Sequence, residues 1–307
     1  MNQPHTRLIL PLALLFAILA VSTASIFIKF AQTDAPSLVI AALRLTIASL
    51  VLAPLALTRH RAELRGLTRN DLTLGLLSGL FLSIHFATWI TSLEYTTIAS
   101  SVVLVSTGPL WVALLAPLFL REPLTRPVLI GMALALIGGV VIGMSDSCTW
   151  NNGLSCPSLN QVLHGRALFG NFLALIGALM VAGYLIIGRK LRIKISLVPY
   201  VFLVYSTAAI CLLAFMVIAG QSPFGYSPMT YLWILLLALI PQLIGHSTYN
   251  WALAHLPAAF VAITTLGEPI GSAILAYFIL QETPTAAVLT GGVLILIGIY
   301  LASRNTK

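Results

Sequence analysis

Displaced by 160 residues, this sequence lies on itself: Pro109 meets Pro269, Glu122 meets Glu282, Thr125 meets Thr285, Gly131 meets Gly291, Gly138 meets Gly298, and Lys29 falls on Arg189. No gap is needed across these positions, so the chain is a tandem duplication of one unit. Whatever one copy folds into, the other must repeat, and a ligand site in such a chain is expected where the copies meet. The division that follows is a first repeat over 1–145, a connecting loop over 146–166 and a second repeat over 167–307.

The solvent of the duplicated unit is set by composition. Hydrophobic residues make up 59% of the chain and charged residues 8%, with a mean hydropathy of +1.01, whereas about a quarter of a soluble domain is charged. Apolar runs recur at about 8–28, 36–58, 72–93, 97–120, 127–145, 167–188, 196–219, 229–253, 257–281 and 285–303. Each approaches the roughly 20 residues that cross a bilayer as a helix. In hydrocarbon every backbone N–H and C=O must be satisfied internally, which leaves helices as the natural form for such runs. The sequence therefore predicts an all-α integral membrane protein of ten transmembrane helices. The first run, with His5 and Arg7 before it and Ser22-Thr23-Ala24 after it, has the alternative reading of a signal peptide. Its repeat counterpart at 167–188 is internal, which favours two retained spans.

Five helices per copy is an odd number, so the second copy enters the membrane from the opposite side and the repeats are inverted. Lys and Arg then orient the whole. With a cytoplasmic N-terminus, 13 of the 16 fall in cytoplasmic segments; Lys29 and Arg166 fall outside and Arg44 lies within a span. The expected location is the cell (inner) membrane, multi-pass, with both termini cytoplasmic. The net charge of +8 reflects this topology and contact with anionic lipid. No continuous basic face of the kind nucleic acid requires is visible.

The loop at 146–166 is expected outside, where an oxidising compartment would favour a disulfide between Cys148 and Cys156; two free thiols are the alternative. Cys211 reads as packing. No His/Cys/Asp/Glu cluster has metal-ligand spacing, so neither a metal nor a cofactor is expected.

Polar residues inside spans are expensive and tend to be functional. Seven of the eight acidic residues lie in loops or near helix ends; Glu268 is the exception, about eleven residues into the ninth helix. Thr264, Glu268 and Ser272 are four apart and would share one face of a continuous helix. Arg44 is the only basic residue at comparable depth, so a structural Arg44–Glu268 bridge stands beside a role in substrate or proton binding. On the eighth helix Gln242, His246 and Asn250 are again four apart, and on the third His85 and Trp89 place an imidazole beside an indole. These are candidates for the cargo path, although a membrane histidine is often merely hydrogen-bonded inside the bundle. Trp111 and Tyr184 are further candidates, against the ordinary reading that aromatics pack cores. Pro109, Pro241 and Pro269 lie near mid-membrane, where they either kink a helix or break it to expose carbonyls. Gly131, Ala135, Gly139 and Gly143 form a small-residue ridge on the fifth helix that permits close helix contact.

The segment from Pro109 to Glu122 and Thr125, followed by Gly131 and Gly138, and its twin from Glu268-Pro269 to Glu282 and Thr285, followed by Gly291 and Gly298, resemble the EamA-type domains of the drug/metabolite transporter superfamily. Ala42-Leu-Arg44-Leu-Thr46 resembles another position of that family. The resemblance covers nearly the whole chain except the 146–166 insertion. It implies helices one to four and six to nine around a central cavity, five and ten at the periphery, and export of small metabolites. The expected function is thus a secondary transporter exporting a small neutral or zwitterionic metabolite, such as an amino acid, by alternating access. Its partners would be that substrate, the lipid bilayer and, as a coupling ion, a proton. One intramembrane acid and one base suit a zwitterion, whereas a phosphate carrier would be expected to bury several Lys or Arg. A channel or lipid scramblase is the main alternative. A membrane enzyme fits less well, because no phosphate-cradling loop or paired-acid signature is present.

Overall fold

The computed structural model describes residues 4–119, 126–145, 149–150, 154–155, 165–256 and 258–303. The first span is Pro4–Ser22 continued by Ala24–Ala31, the second Ser37–Thr58, the third Arg69–Ser92, the fourth Ile98–Val105 continued by Gly108–Phe119, and the fifth Arg126–Ser145. The second copy follows with Arg166–Arg192, Leu197–Ile218, Pro228–Ala252, Ala258–Thr264 continued by Gly267–Leu280, and Ala286–Ser303. Eight of these spans are long and apolar enough to cross a membrane, and the shorter apolar stretches Leu129–Gly138 and Ala286–Gly298 belong to the fifth and tenth. A helix of five residues, Arg61–Arg65, joins the second and third spans. Between the fifth and sixth spans, Thr149–Trp150 pairs antiparallel with Leu154–Ser155. Cys148, Cys156 and Glu122 lie outside the described residues.

Which helix touches which follows the duplication. The first span packs on the eighth and ninth, and the sixth on the third and fourth. The second packs on the seventh, the fourth on the ninth, and the fifth on the tenth. Exchanging the two copies leaves this pattern unchanged, as a pseudo-two-fold axis requires. Individual bonds obey it too. Lys29 Nζ donates to the Leu93 carbonyl and Arg189 Nη1 to the Leu253 carbonyl; Gln32 Nε2 donates to Ile90 O at 2.8 Å and Arg192 Nε to Asn250 O at 3.0 Å. Each pair is related by the same 160-residue step. A cation or amide on the last turn of one span thereby satisfies the orphan carbonyls ending another.

The signature glycines of the two copies meet crosswise, Gly138 against Gly291 and Gly298 against Gly131. A Cβ on Gly138 would lie 2.5 Å from the Gly291 carbonyl oxygen, and one on Gly298 would lie 2.5 Å from that of Gly131. The fifth and tenth helices thus touch backbone to backbone at Gly131, Ala135 and Gly138; the surroundings of Gly139 and Gly143, the rest of the ridge expected above, lie outside what is described. Outward-facing side chains such as Leu50, Ile210 and Phe278 are apolar and well exposed, as lipid contact demands.

Two of the three prolines singled out above follow helix breaks. Pro109 follows the interruption at Ser106-Thr107, and Pro269 the one at Thr265-Leu266. Proline removes an N–H and clashes with the carbonyl four residues back, which is Val105 or Thr265. Thr107 Oγ1 and Thr265 Oγ1 donate back to Leu104 and Ala262 carbonyls at 2.8 and 2.7 Å, taking up acceptors that the broken ladder releases. Pro241 sits instead in a π-helical stretch, Ala238–His246. The cause is countable. The third span runs from its Thr68 cap to Ser92, whereas the eighth runs from its Ser227 cap to Ala252, one residue more between equivalent ends. A π segment is how a helix absorbs one extra residue, and such bulges gather at functional positions.

Candidate functional site

The breaks and the π segment all border one cavity. His85 and Trp89 of the third span, Ser106 and Gly108 at the break of the fourth, and Tyr184 of the sixth form one wall. His246 and Tyr249 of the eighth span, with Thr265 and Glu268 at the break of the ninth, form the other. The cavity volume is about 50 Å³, room for a few waters only. The Gln32 bond is made at Ile90, next to Trp89, the Lys29 bond at Leu93 about one turn beyond Trp89, and the Arg189 bond at Leu253 about one turn beyond Tyr249, so both ends are strapped.

Glu268 is placed by the helix break. It occupies the first turn of Gly267–Leu280, where unpaired N–H groups and the helix dipole favour an anion. Glu268 does not lie eleven residues into a continuous helix, as the apolar run suggested. Its repeat equivalent is Gly108, which lines the same cavity without a side chain. The carboxylate is therefore a departure from the two-fold pattern at its centre.

His85 Nδ1 lies 2.9 Å from the Gly177 carbonyl, which can only accept. Nδ1 therefore donates, which in the neutral imidazole leaves Nε2 as the acceptor. The ring stacks on Trp89 at 5.9 Å and touches Phe86 at 4.8 Å. His246 meets the same Phe86 edge-on at 5.3 Å. The Trp89 Nε1 and Tyr249 hydroxyl have no hydrogen-bond partner among the described residues. Unmet polar groups facing a cavity are the places a ligand is held.

Arg44 is fully buried. Its Nε donates to Gln242 Oε1 at 2.9 Å, and its guanidinium carbon sits 4.1 Å from the Phe86 ring centre. Arg44 and Glu268, both among the described residues, form no ion pair with each other, but each feels the other's charge.

The four-residue spacings resolve differently in space. Thr264 ends one half-helix and returns its hydroxyl to Val261 O, so it does not share a continuous face with Glu268. Ser272 is fully buried and donates to the Ser22 carbonyl at 3.1 Å, a packing contact with the first span. Of Gln242, His246 and Asn250, only His246 borders the cavity, because the wider π turn rotates the set. Gln242 points to Arg44. Asn250 Nδ2 donates to the Tyr184 hydroxyl and to His246 O, in a buried polar core with Tyr205 and Ser247. Trp111 is half-buried and is not among the cavity residues. Phe86, Tyr205 and Tyr249 went unremarked in the sequence, since a lone aromatic in an apolar run carries no signal of its neighbours. Among the described residues, no three His, Cys, Asp or Glu side chains gather as metal ligands.

With this geometry in view, comparison with known proteins is informative. The model of the EamA-like transporter family matches residues 8–144 and again 168–304. An uncharacterized transporter of Archaeoglobus fulgidus is 24% identical over 91% of this chain and 92% of its own length. The pseudopaline exporter CntI of Pseudomonas aeruginosa is 25% identical, covering 95% of this chain and 96% of that one. The uncharacterized transporter YetK of Bacillus subtilis is 28% identical over 78% and 70%. A solved crystal structure superposes with a TM-score of 0.65 at 19% identity over 95% of both chains, a likeness of fold.

Proposed function

The chain belongs to the EamA-like transporter family, and from that premise we propose that it exports a small zwitterionic or neutral metabolite, with an amino acid as the leading candidate, by alternating access. The observation that carries this reading is Glu268 on the first turn of a half-helix at the cavity edge. A carboxylate held there offers a fixed partner for a cargo ammonium group. Trp89, Tyr184 and Tyr249 around it offer apolar rings with polar edges for the rest of a small molecule. The relative named as a pseudopaline exporter supports export as the direction. A cavity of about 50 Å³ is too small for an amino acid, so loading requires one strapped end to open. The inverted repeats supply two related ways of doing so. Glu268 is also where a coupling proton would bind.

The membrane is the cell (inner) membrane in this reading, with both termini in the cytoplasm. The segments carrying Arg59, Arg61, Arg65, Arg189, Lys190 and Lys194 then face inward. Purified protein in liposomes tests the function: radiolabelled L- and D-amino acids are followed with and without an imposed pH gradient. Saturable, stereoselective flux of chemically unchanged cargo is expected. Linear flux indifferent to stereochemistry would point to a channel or scramblase, and altered product would point to an enzyme.

A further inference from the structure

Arg44 presents an unanswered charge. It is fully buried, its one side-chain hydrogen bond is Nε to Gln242, and both Nη1 and Nη2 lack a partner among the described residues. Gln242 Nε2 also makes no hydrogen bond of normal geometry, although the Tyr205 hydroxyl lies beside that amide. A buried cation without an anion is costly, and one aromatic face offsets only a small part of that cost. Such a group persists where its partner arrives from outside.

We propose that Arg44 receives the carboxylate of the cargo, and that the Phe86 ring screens it from the central cavity until cargo enters. The Gln242 bond holds the guanidinium by Nε and leaves the Nη1/Nη2 edge free. That edge is the one whose parallel N–H groups match both oxygens of a carboxylate. Phe86 lies on the guanidinium at 4.1 Å and touches the rings of His85 and His246, both of which line the cavity. Phe86 thus stands between Arg44, which does not itself line the cavity, and the rings that do, and it must move for cargo to reach the guanidinium. Glu268 would then hold the cargo's ammonium end and Arg44 its carboxylate end. The inference rests on the zwitterion reading above and names the receptor for the anionic pole.

The test compares ligands that differ only at that pole. Thermal melting of the purified protein is titrated with L-amino acids, the corresponding amino-acid amides, 3-phenylpropanoate and propanoate, and inorganic phosphate. The expected result is stabilisation by amino acids at concentrations at least tenfold below those of their amides. Arg44→Lys, which keeps the charge and loses the fork, is expected to erase that preference, whereas Glu268→Gln is expected to preserve it. Equal effects of acids and amides, no effect of any probe, phosphate surpassing every carboxylate, or a preference that survives Arg44→Lys would each overturn the assignment. The comparison of acid with amide needs only the wild-type protein, so it decides the matter even where Arg44 variants fail to fold. Amino acids and amides acting equally would remove the Arg44 role and the zwitterion reading together, whereas a preference for the acid that survives Arg44→Lys would remove the Arg44 role and leave the zwitterion reading standing. Simple carboxylates acting through Arg44 while amino acids do not would have the opposite meaning.

Discussion

Gly138→Ala measures how closely the fifth and tenth helices are pressed together. The new Cβ would lie 2.5 Å from the Gly291 carbonyl oxygen and 2.8 Å from Ile295 Cγ1. Carbon prefers separations of about 3.5 Å or more, so the helices must part by roughly 1 Å. The obstacle is backbone, which cannot rotate away. Overpacking of this kind costs about 1–3 kcal/mol, and alanine's better helix propensity returns roughly 1 kcal/mol. A net loss of up to about 2 kcal/mol follows, or a melting temperature lower by as much as a few degrees. Gly298→Ala meets the Gly131 carbonyl at the same 2.5 Å and should cost the same. The double variant should cost less than the sum, because a gap opened for one methyl accommodates the other. Gly292→Ala is the control: its nearest neighbours are Val103 methyls at 3.8 and 3.9 Å, so it should gain up to about 1 kcal/mol from propensity alone. Tryptophan fluorescence melts in detergent separate these variants, while liposome flux should be unchanged, since neither helix contributes a cavity residue. A Gly138→Ala protein that melts as high as Gly292→Ala would refute the close approach.

Three further outcomes are expected. Glu268→Gln should lower liposome flux roughly ten- to hundredfold, the loss of one charged hydrogen bond, with the folded protein still abundant; wild-type flux and pH response would remove Glu268 from the mechanism. Asp34 accepts hydrogen bonds from Ser227 N at 2.7 Å and Thr230 Oγ1 at 2.9 Å, with the Ser227 amide bond foremost in holding its pKa below the ordinary 3.8. A depressed carboxyl pKa stabilises above 3.8 and ceases to do so as pH falls through the folded value, so amide exchange at Ser227, corrected for intrinsic rate, should stay slow from pH 7 to 5 and rise only below about 3.8, whereas Asp34→Ala, which removes the acceptor, should exchange fast throughout. In a background with Cys148, Cys156 and Cys211 replaced by serine, an impermeant thiol reagent applied to intact cells should label Asn160→Cys and not Ala62→Cys; the reverse pattern would invert the topology.

Much of this was legible in the residues. The duplication and the helix count follow from spacing and hydropathy. The nature of the interruptions was half visible: Ser106-Thr107-Gly108-Pro109 and Thr264-Thr265-Leu266-Gly267 before Pro269 place hydroxyls, glycine and proline together inside apolar runs, yet period alone cannot say whether a helix kinks or restarts. The π segment was hidden, because one extra apolar residue in a run of twenty-five changes no composition. It shows only when the caps Thr68 and Ser227 are compared across the repeat. The Arg44–Gln242 pair joins residues 198 apart, and no local pattern announces a partner at that distance.

The paired carbonyl bonds at the two membrane faces bear on kinetics. Lys29 and Gln32 fasten the first span to the third, and Arg189 and Arg192 fasten the sixth to the eighth. Under alternating access, one set must release while the other holds. The preferred resting orientation then depends on the difference between two near-identical sets, and the turnover rate on the height of each. Strengthening both equally would slow the carrier without biasing it, whereas a single conservative exchange such as Lys29→Arg would tip the balance, since about 1.4 kcal/mol between two states is a tenfold change in their ratio. If the carrier works by alternating access, as proposed, the duplication would keep its two orientations close in energy, and the lysine-for-arginine and glutamine-for-arginine differences between the copies would be where the asymmetry is set.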